Sequence, residues 1–327
     1  MLHQAEKTGP KNMLAGAGIT SLIFLAAGLS PVLGVAAFFM LPPVMFYYRS
    51  LLGRTPGMTV LAVAGAVALV RWGGMTPDVG VGLTLLALGF FLAEFAEKGM
   101  AIEPTILFAC GAVLAGGLVV LALYSNLSGV GLGTMVSDYV GKNLELTLRL
   151  YEDAGMTDDP GVAALAESMD ALKTLLVRIL PALAAAMVLL AAWATILTAR
   201  AVMKRKGHAF PDFGRLNRWA APDFLVWAAI VSGGLLLLPA TSAKVTGING
   251  LIVLAVVYFF QGIAIVSFYF ETRNAPVALR VLVYGMMAVW QLTALLVACL
   301  GFVDTWADFR RLRRAGETDA DDDETGL

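Results

Sequence analysis

Charge is scarce in this chain of 327 residues: Asp, Glu, Lys and Arg together make up 14% of it, against about a quarter of a soluble globular domain. Histidine is scarcer. His3 and His208 are the whole complement, and both lie outside the apolar blocks, which excludes a histidine-based catalytic or metal site at membrane depth. Cys110 and Cys299 each sit inside an apolar run, so neither a disulfide framework nor a cysteine metal site is indicated. A net charge of −1 leaves no basic footprint for nucleic acid. The chain also lacks a G-x-x-x-x-G-K-[S/T] loop, an H-E-x-x-H or G-x-S-x-G motif and a pair of aspartates at mid-membrane. ATP hydrolysis by that loop and the common intramembrane protease designs fall with them, and no enzyme activity and no cofactor is expected.

What the chain has is apolar residues, 59% of the total, with a mean hydropathy of +0.79. They come in nine blocks, at about 13–29, 32–48, 57–71, 79–95, 104–124, 179–200, 223–239, 249–270 and 278–303. Such blocks suit helices crossing a hydrocarbon core about 30 Å thick. The expected fold is an all-α, polytopic transmembrane helical bundle of eight or nine membrane segments, with the lipid bilayer as its first partner.

Basic residues mark the cytoplasmic side. The loop 200–218 carries Arg200, Lys204, Arg205, Lys206, Arg215 and Arg218 against Asp212 alone, so it is read as cytoplasmic. Counting back six spans places Lys7, Lys11, Arg49 and Arg54 on the same side. Counting forward three conflicts with the cluster Arg310, Arg311, Arg313 and Arg314, which next to Trp306 reads as a cytoplasmic anchor. The short block 223–239, with Ser232-Gly233-Gly234 and a final Pro239, is the suspect, and an even count with both termini inside is preferred.

Five regions follow: a cytoplasmic tail, 1–11; a five-helix membrane region, 12–124; an extracytoplasmic segment, 125–178; a C-terminal membrane region, 179–305, with its basic loop at 201–222; and a tail, 306–327, first basic and then acidic. Val136, Val140, Leu144, Leu148 and Tyr151 recur at helical spacing, as do Val162, Leu165, Met169, Leu172, Leu176 and Ile179. They predict an external amphipathic helical hairpin turning at 155–161, where Asp159 caps the second helix and Pro160 is its first residue. That second helix is expected to run unbroken into the span 179–200, with a kink at Pro181. The acidic run 317–324 reads as a disordered, solvated end.

Few side chains in the blocks can carry chemistry. Arg71, Glu94, Arg178, Glu271, Arg280 and Asp304 lie at block ends, within reach of the interface, with Glu94 beside Glu97 and Lys98 as an internal Glu–Lys pair. Gln261 and Gln291 are the central polar residues of the last two blocks, either bonded to each other between adjacent helices or facing a shared ligand site. Asn249 is a third candidate for ligand binding, with a helix start as the plainer reading. Pro42-Pro43 breaks the second block, either as a kink or as an opened helix at a site. Small residues four apart, Gly16/Thr20, Ala17/Ser21, Ala64/Ala68, Gly111/Ala115 and Ala112/Gly116, let helices approach closely.

Trp219, Pro222-Asp223, Asn249, Tyr258-Phe259-Phe260-Gln261-Gly262 and the run Gly301-Phe302-Val303-Asp304-Thr305-Trp306-Ala307-Asp308-Phe309-Arg310 resemble the YybS-like family of bacterial polytopic membrane proteins, a domain of unknown function, over about 12–314. More distantly, the small-residue first helix, Ser30-Pro31-x-x-Gly34, Pro42-Pro43 and Leu52-Gly53-Arg54-Thr55-Pro56-Gly57 are similar to the S components of energy-coupling-factor vitamin transporters. Those proteins have six helices and carry alanines four apart on the first. The resemblance implies a protein of the bacterial cytoplasmic membrane that binds a small solute from outside and takes energy from partner membrane subunits. A non-transporting scaffold or assembly factor of the envelope is the alternative reading.

Overall fold

The computed structural model describes residues 9–29, 31–156 and 159–310. His3, Lys7, Ser30, Asp158, the cluster Arg311–Arg314 and the acidic run 317–324 lie outside the described residues. Every element is helical: α1 Pro10–Ala27, α2 Pro31–Leu52, α3 Arg54–Arg71, α4 Pro77–Ala96, α5 Ile102–Ser128, α6 Leu132–Asp153, α7 Pro160–Glu167, α8 Met169–Arg205, a 3-10 turn Leu216–Arg218, α9 Phe224–Leu235, α10 Thr241–Thr272, α11 Val277–Val289 and α12 Gln291–Ala307. No strand occurs among the described residues.

Five of these helices, α2, α4, α5, α8 and α10, are long and apolar enough to cross a membrane, and a sixth span is counted if α11 and α12 are taken as one. The longer list of apolar blocks shrinks for local reasons. Blocks 13–29 and 57–71 form helices of 18 residues that are long enough but take in polar ends, Lys11-Asn12 in α1 and Arg54-Thr55 and Arg71 in α3; 223–239 yields only the 12 residues of α9, and the last block is split. The chain divides into two compact units: Met1–Leu180 with Met187–Asp212, and Pro181–Ala186 with Phe213–Leu327. The boundary at Asp212/Phe213 falls inside the basic loop.

In the N-terminal unit α1 packs on α2 and α3, and α2 on α4. Phe24, Leu41, Met45, Tyr48, Val60, Ala64 and Leu86 form its core. Chain direction is set by short devices: Gly53, at φ 88°, turns α2 into α3, and the Thr76 hydroxyl accepts from Val79 N at 3.3 Å with Pro77 following as the first helical residue. Pro42-Pro43 leaves α2 continuous. Gly89 of α4 lies against it, since a Cβ there would come within 2.9 Å of Pro42 Cα, so the proline pair is a packing surface. Gly16 and Thr20 point inward, Gly16 against Tyr48 and Val60. Gly111 and Gly116 have open space in front of them.

Asp159 caps α7 as the sequence implies, its Oδ1 accepting from Gly161 N at 2.6 Å. The following helix is not unbroken. Ser168 turns its hydroxyl back on the carbonyls of Ala164 and Leu165, at 2.8 and 3.3 Å, which ends α7 and starts α8 afresh. From there α8 runs 37 residues with Pro181 inside it.

In the C-terminal unit α9 lies on α10, and α10 on α12. The closest approach joins Gly262 and Gly301: a Cβ on Gly262 would meet Val297 Cγ1 at 2.7 Å, and one on Gly301 would meet the Tyr258 carbonyl carbon at 2.9 Å. The block expected as one span, 278–303, breaks at Trp290, whose backbone is extended, and α12 leaves α11 at 103°. Both outer ends of this pair are tied to the C-terminal end of α10. Arg280 donates to the carbonyls of Ala275 and Phe270 at 3.0 and 3.1 Å, and Tyr269 Oη donates to the Phe309 carbonyl at 3.0 Å. A straight helix over 277–307 would hold those ends about 46 Å apart, so the pair must fold back.

Replacing Gly89 or Gly301 by Leu forces neighbouring backbone apart at a tight crossing. Each variant should lose about 1–3 kcal/mol, read as a lower midpoint of thermal unfolding in detergent, while Gly111→Leu should leave the midpoint unchanged.

Candidate functional site

Polar side chains gather in two places, one in each unit. In the C-terminal unit, Asp304 on α12 and Arg310 beyond its end form an ion pair at 2.8 Å, with 4% and 1% of their side chains exposed. The helix stops at Ala307, and Asp308 takes a left-handed conformation at φ 41°. That turn brings Phe309 N back onto Asp304 Oδ1 at 2.9 Å and folds the guanidinium of Arg310 over the same carboxylate. The spacing of the run Gly301 to Arg310 thus has a geometric meaning: glycine for the helix crossing, aspartate for the anchor, a turn, and an arginine that returns.

Arg310 reaches further. Its Nη1 donates to the carbonyls of Asn217 and Trp219, at 3.1 and 2.9 Å. Gln261 on α10 completes the set, with Nε2 donating to Asp304 Oδ2 at 3.2 Å and Oε1 accepting from Ala221 N at 3.2 Å. The segment 217–221 is irregular backbone, and three of its peptide groups find partners in this cluster. It runs along α10, since Asn217 Nδ2 bonds Glu271 at one end while Ala221 meets Gln261 at the other. Ten residues of helix separate those two levels, about 15 Å.

The second cluster lies at one rim of the N-terminal unit. Arg49, 3% exposed at the end of α2, donates to Glu94 at 2.5 Å and to both oxygens of Glu97 at 3.0 and 3.2 Å. Arg54 stands 3.8 Å from Glu94. Lys206 places Nζ 4.5 Å from the Tyr47 ring centre, and Phe210 packs on Phe46. Between these groups opens a cavity of about 310 Å³ lined by Ser50, Glu97, Met100, Met203, Phe210 and Asp212. Its wall carries two carboxylates, one hydroxyl and a soft apolar side, a surface suited to a small molecule with a polar end. No group of three His, Cys, Asp or Glu is placed to hold a metal ion among the described residues.

The residues singled out from sequence are not brought together. Gln261 is buried in the C-terminal cluster, whereas Gln291 is the exposed first residue of α12. The break at Trp290 carries Gln291 away from the helix crossing, so the expected Gln–Gln bond does not form and Asp304 takes its place. Asn249 lies inside α10 rather than at its start, accepting from Ala182 N beside Pro181 at 3.1 Å and donating to the Val245 carbonyl at 2.8 Å. It joins two helices. Nor is the Glu94 neighbourhood an internal Glu–Lys pair, because Arg49 takes both carboxylates and Lys98 sits 4.9 Å over Phe95. Asp304 and Arg310 were the residues missed: six apart, and joined only through a left-handed turn at a non-glycine position.

Several long apolar helices with charge kept near their ends define an all-helical, multi-pass membrane protein. The chain belongs to the DUF2232 family of predicted membrane proteins, whose match covers residues 18–305. No curated protein and no solved structure matches it.

Removing one partner of the C-terminal ion pair strands a buried charge. Asp304→Ala and Arg310→Ala should each cost about 3–5 kcal/mol, and the double variant should cost less than the sum, measured as coupling in a thermal double-mutant cycle in detergent micelles.

Proposed function

We propose that this protein is a non-enzymatic, multi-pass protein of the bacterial cytoplasmic membrane that binds a small solute at the rim cavity of its N-terminal unit. The observation that carries the reading is the cavity itself, a space of about 310 Å³ between the ends of α4 and α8 with polar and apolar walls. Arg49, Arg54, Lys98, Lys204, Arg205 and Lys206 mark that rim as cytoplasmic. Gly16 of α1 packs against Tyr48 near the end of α2, so the N-terminus belongs on the same side. The amphipathic helices α6 and α7 then lie outside as the external hairpin, and α1, α3 and the short α9 cross with the five longer helices, eight crossings that return both termini to one side. Arg310 bonds to carbonyls of the basic loop, and this supports a cytoplasmic C-terminus.

The likeness to YybS-like proteins and to S components supports solute binding with energy supplied by partner subunits. It is amended in two respects. The cavity faces the basic rim rather than the outer side, and Gly16 and Thr20 are spent on internal packing rather than left for docking. A scaffold of the envelope is the second reading, favoured by the end of α5, where every residue from Ala115 to Leu123 is exposed and Leu127 is 88% exposed.

Native mass spectrometry of the purified protein should find a small molecule bound to the parent and lost from Met203→Trp, which fills the cavity. Absence of any bound molecule, together with recovery of envelope proteins instead of an ATPase pair on co-purification, would favour the scaffold. Impermeant thiol labelling of cysteines at Lys244 and Phe309 should mark opposite faces of the membrane.

A further inference from the structure

We propose that the ligand of the rim cavity is a small organic cation, an alkylammonium with an apolar body, whose charged end is held by Glu97 and Ser50. The inference rests on the reading of that cavity as a solute site and adds the chemical class of the solute.

The wall of the cavity is charged with one sign. Glu97 and Asp212 line it, and no Lys, Arg or His among the described residues does. The bases nearby are turned to other partners. Arg49, 3% exposed, is taken up by Glu94 and Glu97, while Lys98 lies over Phe95 and Lys206 over Tyr47. Asp212 is engaged within the fold, so the bonding falls to Glu97. Its carboxylate is bonded to Arg49 and still leaves 43% of the side chain exposed, and such a group has about four acceptor sites.

The backbone adds to that field. Three helices, α2, α4 and α8, end at the cavity, for Ser50, Ala96 and Met203 belong to their last turns. Carbonyls of a last turn have no donors further along the helix and carry partial negative charge. α5 starts beside Met100 with the opposite polarity, and Glu103 in its first turn offsets it. A cation is favoured, and an anion opposed, by side chains and backbone alike.

Ser50 supplies the second contact. Its Oγ is buried and makes no hydrogen bond, the kind of unmet group that a ligand can satisfy. Glu97 only accepts, so a group that bonds both residues must bring several donors. An ammonium brings three, and a primary alkylamine is charged at neutral pH, as lysine is. Met100, Met203 and Phe210 make the rest of the wall apolar and deformable. A volume of about 310 Å³ is at the small end of ligand pockets, about 300–1,000 Å³, which suits a compact body.

Isothermal titration calorimetry of the purified full chain in detergent tests this with three probes of similar shape: phenethylamine, phenethyl alcohol and phenylacetate. The amine should bind about tenfold or more tighter than the alcohol, as a hydrogen bond to a charged group contributes, and phenylacetate should bind weakest. Met203→Trp should abolish binding. Glu97→Gln keeps the side chain's size and should erase the amine's lead while leaving the alcohol's affinity unchanged. Ser50→Ala should weaken the amine severalfold without lowering the thermal midpoint, because the hydroxyl it removes has no partner in the fold; a purely structural serine would do the reverse. Equal binding of amine and alcohol, or tighter binding of phenylacetate, at a site closed by Met203→Trp overturns the cation and leaves the solute site standing. Absence of binding by all three overturns it too, and the solute site falls with it only when the parent also carries no molecule that Met203→Trp releases.

Discussion

A membrane offers the backbone no water, so every peptide group that leaves a helix must be met by another part of the protein. In the C-terminal unit one ion pair meets two such groups, the carbonyls of Asn217 and Trp219. Asp304 and Arg310 are costly to bury, and their arrangement offsets the cost because each does more than neutralise the other. The carboxylate accepts three donors, and the guanidinium spreads over two carbonyls of the segment at 217–221. The cluster thereby fastens the chain end to the segment that follows the 3-10 turn.

The N-terminal unit solves a different problem with the same residue type. Arg49 lies under the rim rather than within a crossing, and it ties the end of α2 to the end of α4 through two glutamates. The charges that the sequence distributes to block ends are therefore paired across helices as well as near water. Exposed apolar side chains run along α11, where lipid is the natural neighbour.

Much of the fold was legible from sequence because it rests on local rules. Apolar block length gave the helices, the Asp159-Pro160 pair gave the start of α7, and the small residues at Gly16 and Ala64 marked close packing. The polar clusters were not legible. Gln261 was correctly picked out as central, but its partner depends on where α12 begins, and nothing in Val289-Trp290-Gln291 announces a break as proline or glycine would. Asp304 and Arg310 looked like interfacial anchors because their pairing requires a left-handed Asp308, a conformation no periodicity reveals. Arg49 likewise stood at a block end, and the cavity beside it joins residues far apart in the chain. The Asp304 to Arg310 spacing was visible as a motif, but only the turn gave it a reason.

The bend at Trp290 bears on how the sidedness of such proteins is inferred. Hydropathy assigns the location of a C-terminus by counting apolar blocks as odd or even, which assumes that each block carries the chain across. A block whose two halves meet at 103° is one crossing if it carries the chain through and none if it returns. The side assigned to everything after Arg310, a fused reporter included, turns on which of the two it is. For chains with this break, the arginine that reaches back to the loop is a safer guide to compartment than arithmetic on hydrophobic blocks.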